Sequence, residues 1–199
     1  NGHKIYDVIR GAGINHNIAT SIQPSSANGF FTAFDSDGFS LAGGDNAHNA
    51  SSQTYVAWNW LAGGSPVTNN EGSETSSVSA NTKSGFSVVL HDNGSGVRTV
   101  GHGLDSAPEI VFEKKRDDTG DWLAQFSVID GSSDYMRLNT TIAKTDGFLS
   151  IPTSTVYSPY GGGGHDHYAL CFHSVAGFSK VGSYKGVGSS SGTTGPYVY

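Results

Sequence analysis

Short alternating runs, cut by turns that carry glycine, leave this chain little room for a helix. The clearest case is the pair of runs 109–115 and 122–128. Ile110 and Phe112 share one face of the first run; Trp122, Ala124, Phe126 and Val128 share one face of the second. Asp117-Asp118-Thr119-Gly120 turns between them. Period-two alternation around such a turn marks an antiparallel hairpin. Runs 4–10, 77–80, 86–91, 97–100, 135–143, 168–173, 178–184 and 196–199 read as further short strands, and no segment sustains helical periodicity. The 199 residues hold 28 glycines and a similar number of serines. That is about twice the average glycine usage of ~7%, and it supplies the turns between aromatic and β-branched strand residues. The expected fold is all-β: an antiparallel β-sandwich, jelly-roll-like.

A partial internal repeat runs through the chain. The aromatic run Tyr55-Val56-Ala57-Trp58-Asn59-Trp60 is echoed by Tyr168-Ala169-Leu170-Cys171-Phe172-His173. Asp-Gly-Phe precedes each run (37–39 and 146–148), and Gly-Phe-Ser follows each (85–87 and 177–179). Three landmarks in one order point to a repeat of roughly a hundred residues. The expected organisation is an N-terminal strand and lead-in over 1–34, a first β-sandwich repeat unit over 35–145, and a second, incomplete unit over 146–199 packed with the first. The aromatic run is expected as strand 54–61, and residues 64–84 as an exposed arm with one short strand near 77–80.

Charge narrows the partners. The net charge is −6, and the longest basic run, Lys114-Lys115-Arg116, is followed at once by Asp117 and Asp118. Nothing here grips a phosphate backbone, so nucleic acid is not an expected partner. No window approaches the ~18 apolar residues of a membrane-spanning helix, so no membrane insertion is expected. The chain opens on Asn1 without a signal peptide, which reads as a processed product or a fragment. Its single cysteine, Cys171, rules out an intrachain disulfide and a Cys-cluster metal site; in an alternating apolar run it reads as a buried, inert thiol.

No pattern demands a catalytic residue or a cofactor, and none is assigned. Gly188-Ser189-Ser190-Ser191-Gly192 spells the nucleophile-elbow motif, but that elbow needs a strand before it and a helix after it. Glu109, Glu113, Asp117, Asp118 and Asp121 cluster around the hairpin turn, where charges ordinarily keep an edge solvated; a glycosidase would need two of them facing each other across a cleft. Asp35-x-Asp37-Gly38 resembles the start of a calcium loop but lacks its later acidic ligands, so a plain turn is expected. His165 and His167 would lie on one side of an extended segment, as two imidazole metal ligands require; a polar loop leading into a strand is the simpler reading. Trp58 and Trp60 share one face of their run. Core packing is the expected role for these tryptophans, and stacking on a sugar ring is the alternative. Tyr157 and Tyr160 sit in the long loop 152–166 and are candidates for glycan contact, because binding residues concentrate on loops held by a rigid scaffold.

Several of these landmarks occur together elsewhere. Asp37-Gly38-Phe39, Tyr55 to Trp60, Ser79-Ala80-Asn81-Thr82, Val100 to Phe112, and Gly177 to Tyr184 resemble, in order, a family of tailed-phage structural proteins common in marine and cyanobacterial viruses. The likeness runs from about Tyr6 to Tyr199. Leu61 departs from it, since lysine is expected there, and so does the ending Cys171-Phe172-His173, where an acidic residue is expected. The resemblance implies a location, an exposed virion part such as a tail fibre, tailspike or capsid decoration, and it implies no reaction. The expected partners are other virion proteins, further copies of the chain and a host-surface glycan. Members often continue past an element like Gly195-Pro196-Tyr197-Val198-Tyr199, so the chain is expected to be a segment of a longer polypeptide.

Overall fold

The computed structural model describes residues 2–26, 30–43, 46–92, 94, 96–128, 130–146, 149–160 and 164–186. In chain order the strands are β1 (Lys4–Ile5), β2 (Ile14–Asn17), β3 (Ser25–Ser26), β4 (Phe31–Asp35), β5 (Gly38–Leu41), β6 (Val67–Asn69), β7 (Ser76–Asn81), β8 (Phe86–His91), β9 (Val100–Gly101), β10 (Ile110–Lys115), β11 (Leu123–Phe126), β12 (Asp134–Arg137), β13 (Thr145–Asp146), β14 (Val156–Tyr157) and β15 (His167–Phe172). No helix occurs among the described residues, and the fold is all-β.

An antiparallel sheet of eight strands, ordered β13-β12-β11-β10-β15-β8-β7-β6, is the centre of the molecule. Its register makes the two faces legible. Glu113, Ala169, Val89 and Val78 stand side by side across β10, β15, β8 and β7, and one pair further along stand Val111 and Cys171. Against this face pack Val100 and Tyr157, from the β9–β14 ribbon, and Leu104. The opposite face presents Phe86, Val88, Tyr168 and Leu170. Trp122 and the N-terminal residues Ile5, Ile9 and Ile18 cover it, the last three borne by or flanking the small sheet β1-β2-β3. The result is a sandwich whose large sheet is covered on both sides.

The hairpin reading holds: β10 and β11 pair from Ile110↔Phe126 to Glu113↔Leu123. The Asp-Gly turn holds as well, since Asp35 faces Gly38 across the β4–β5 hairpin and takes the Ser40 hydroxyl at 2.6 Å. The N-terminal run is shorter than expected. It stops at Ile5 because the Asp7 carboxylate caps a turn, accepting the amides of Ile9 at 3.1 Å and Arg10 at 2.8 Å. Residues 178–184 form no strand beyond the isolated Val175–Ser179 bridge, and 196–199 lie outside the described residues.

The aromatic run is the main correction. Among the described residues no strand pairs with 53–63, and Trp58 and Trp60 are 62% and 58% exposed. The expected core packing of both tryptophans is therefore wrong. Its echo took the central place instead: β15 lies between β8 and β10, so the 146–199 segment shares one sheet with strands from 35–145. The physical cause is at the sheet's edge. β6 covers only Val78, Ser77 and Ser76 of β7. Residues 61–64 run beside the remaining half, tied by side chains rather than a ladder: Asn81 Nδ2 donates to Leu61 O at 3.2 Å and Ser79 Oγ to Gly64 O at 2.7 Å. The approach is close enough that a Cβ on Gly63 would fall 2.1 Å from Ala80 O. Among the described residues, 54–60 have no strand beside them.

Candidate functional site

A cleft of about 250 Å³ opens on the β9–β14 side of the large sheet, and Glu113, Lys115, Asp121, Arg137, Tyr160 and His167 line it. The strand order explains this mixture. Glu113 and Lys115 project from β10, Arg137 from β12 and His167 from β15, all onto one face by alternation and register. Asp121 comes from the turn between β10 and β11. Tyr160 comes from the chain leaving β14.

Glu113 forms the floor. Its side chain is 3% exposed. Oε2 accepts the Tyr160 amide at 2.9 Å; Oε1 has no hydrogen-bond partner among the described residues. Two imidazoles face that oxygen: His91 Nε2 and His167 Nε2 each stand 4.0 Å from it, with their rings nearly parallel and 5.6 Å between centroids. Burial pushes the Glu113 carboxyl up to about 8, outweighing the opposing hydrogen bond from Tyr160 and the charge of Arg98. Burial likewise lowers His91 to about 3 and His167 to about 4. Near neutral pH the floor is therefore a protonated acid beside two neutral imidazoles. His167 Nδ1 lies 2.9 Å from the His165 carbonyl, so it carries the proton, and Nε2 is left as the acceptor that faces Glu113.

A distance of 4.0 Å is too long for a direct hydrogen bond, but it fits one oxygen set between the two groups. Glu113 Oε1 and His91 Nε2 are themselves buried, so the surface that the cleft presents is made by His167, Lys115, Arg137 and Tyr160. The walls add further polar groups and a ring. Arg137 Nε is 3.0 Å from Asp121, and Asn139 Nδ2 holds the other Asp121 oxygen at 2.9 Å. The Tyr160 ring packs on Tyr135 with centroids 4.5 Å apart, and their hydroxyls are 3.1 Å apart.

The structure separates the residues singled out by sequence. Tyr160 borders the cleft. Tyr157 is 1% exposed beneath it, in the core that packs Val100 and Leu104, so its ring cannot meet a sugar at the surface. Trp58 and Trp60 are exposed, and the neighbouring aliphatic groups of Val56 and Leu61 are 66% and 76% exposed. Trp58 lies 5.8 Å from the His3 ring, and Trp60 borders Phe172 at 5.9 Å. Of the metal candidates, His165 stands at the surface with Asp117 and Asp118 each 3.4 Å away, while His167 turns inward to Glu113. The two do not converge, and no group of three metal-ligating side chains occurs among the described residues. Ser190 lies outside the described residues. Cys171 is buried, and burial raises its thiol well above the usual range.

Glu113 is the residue whose burial the local pattern signals. Val111 and Glu113 alternate with Ile110 and Phe112, so both faces of the run begin apolar, as a central strand does. A carboxylate in that position is buried rather than rimming an edge.

Residues 1–199 match the family described as "Domain of unknown function (DUF7483)", and the chain belongs to that family. No curated protein and no solved structure matches it.

Proposed function

We propose that this DUF7483 domain is a non-enzymatic structural module on the surface of a phage virion, of the tail-fibre, tailspike or capsid-decoration type, and that it contacts host-surface glycan through the Tyr160 cleft. One observation carries the glycan assignment: a cleft in which Tyr160 stands among the polar side chains of His167, Arg137 and Lys115. Sugars present what this site requires. A hydroxyl both donates and accepts, and so can meet a neutral imidazole and a guanidinium together, while the apolar face of a pyranose packs on an aromatic ring. The volume is below the ~300–1,000 Å³ of pockets for drug-sized ligands, so one ring enters and the rest of the glycan stays outside. The virion assignment rests on the resemblance to tailed-phage structural proteins and on the all-β sandwich with exposed loops.

Hydrolysis is the reading to weigh against this, because Glu113 is a protonated acid and Asp121 shares its cleft. Asp121 is held by Arg137 and Asn139, which leaves it poorly placed to activate water or attack a sugar. The test is titration of the purified chain with oligosaccharides from the host envelope, with reducing ends assayed in parallel. Saturable binding without new reducing ends is expected, with about tenfold loss in Tyr160→Ala, the equivalent of one aromatic contact of about 1.4 kcal/mol. Release of reducing ends would make the module an enzyme, and binding indifferent to Tyr160 would move the contact elsewhere.

A further inference from the structure

We infer that residues 54–60 form a docking strand for a second copy of this chain, and that the two copies pair antiparallel through the same segment. Three features of the segment point there. First, it has the composition of a strand and none of a strand's bonds. Thr54-Tyr55-Val56-Ala57-Trp58-Asn59-Trp60 is rich in β-branched and aromatic residues. It runs without turn or bend, and among the described residues its backbone N–H and C=O groups make no hydrogen bond. Second, every side chain from Gln53 to Leu61 is exposed, including Tyr55 at 46%, Val56 at 66%, Trp58 at 62%, Trp60 at 58% and Leu61 at 76%. With whole aromatic rings spanning ~150–250 Å², these five side chains present roughly 600 Å² of surface. Pairing covers part of this surface on each copy, and the backbone ladder supplies the remaining attraction, as in strand addition to an exposed edge.

Third, the segment is suited to itself. The chain carries a net charge of −6, yet no charged residue occurs from 53 to 63. Two copies therefore meet where their mutual repulsion is least. An isologous antiparallel pair centred on Trp58 sets Val56 of each copy opposite Trp60 of the other and Trp58 opposite Trp58. β-Branched and aromatic cross-strand pairs of this kind stabilise a ladder. The ends of the large sheet offer less, since β6 has three residues and β13 two, lengths that discourage edge-to-edge growth. The glycan cleft lies elsewhere, so either reading can fail without the other.

The experiment is sedimentation equilibrium of the full chain across a concentration series. The expected species has twice the 20.7 kDa chain mass. Trp58→Arg places two like charges together at the symmetry axis and should return a monomer that is still folded and melts cooperatively, because Trp58 is exposed. Val56→Pro and Ala57→Pro remove adjacent amide donors that point to opposite sides, so one of the two removes a ladder bond and should also give the monomer. Acrylamide should quench tryptophan fluorescence more in the monomeric variants than in wild type, since Trp58 and Trp60 are covered only in the pair. A wild-type monomer throughout the series would overturn the inference. So would a dimer that survives Trp58→Arg and both proline variants. A monomer whose 54–60 amides resist hydrogen exchange would overturn it too, showing that a segment of the same chain covers the strip.

Discussion

Replacing Glu113 by glutamine should change the pH dependence of stability in a way no surface carboxylate could. Glutamine keeps the shape and can still accept the Tyr160 amide, but it cannot ionise. In the fold the Glu113 carboxyl titrates at about 8, against 4.5 for an unburied glutamate. A raised value means that the folded chain holds the proton more tightly than the unfolded chain. The stability this contributes is complete below pH 4.5 and is lost as pH rises through 8. The interval of about 3.5 pH units, at 1.36 kcal/mol each, spans about 5 kcal/mol in all. About 3 kcal/mol of that falls between pH 5.5 and 8.5, where both proteins can be handled. For a domain near this size, 1 kcal/mol corresponds to about 2–4 °C in melting temperature. The melting temperature of Glu113→Gln relative to wild type should therefore climb by about 6–12 °C between those pH values. Calorimetry of the two proteins at matched pH measures this difference, and contributions from other groups cancel in it. Parallel curves would refute the reasoning, since they would mean that Glu113 ionises as freely in the fold as outside it.

Burial also lowers His16 to about 2, His91 to about 3 and His167 to about 4. The unfolded chain takes up those protons first, so stability should fall as pH drops below 6.5, by about 2 kcal/mol for each histidine at pH 5; urea titrations between pH 7 and 5 check this, net of the opposite Glu113 contribution. Trp122→Ala should cost about 3–5 kcal/mol, because Trp122 is 0% exposed and its Nε1 donates to Asn17 O at 3.1 Å. Trp58→Ala in the monomer should cost under about 0.5 kcal/mol, and chemical denaturation distinguishes the two. The Cys171 thiol should react with a disulfide reagent only in denaturant, since it is 0% exposed and its ionisation is suppressed; modification at the rate of a free thiol in the native state would contradict its place in β15.

Local pattern was enough wherever pairing was local. The hairpin Ile110–Phe126 was legible because its alternation and turn lie within one short stretch, and β8 and β15 were legible as apolar runs between turn signals. The aromatic run misled because strand propensity says nothing about whether a partner strand is nearby. β7 is already flanked by β6 and by residues 61–64, and 54–60 are left outside the sheet. The same limit hid the cleft. Glu113 read as a charge beside a solvated edge and Lys114 as part of a short basic run, yet β10 lies between β11 and β15. Lys114 Nζ is there held by the carbonyl of Ser21 at 2.9 Å, and burial lowers it to about 8. Strand order is a long-range property, and the burial of these charges follows from it. Tyr160 was legible as a loop tyrosine; that Tyr157, three residues earlier, points into the core depends on the β9–β14 pairing, which joins residues far apart in the chain.

The glycan assignment is tested most directly by side-chain NMR during an oligosaccharide titration, following the Glu113 carboxyl, the His167 imidazole and the Trp58 and Trp60 indoles in one experiment. Saturable shifts at Glu113 and His167, with both indoles unmoved, are the predicted result. Saturable shifts at the indoles with Glu113 and His167 unmoved, or no shift at any of the four, would contradict it.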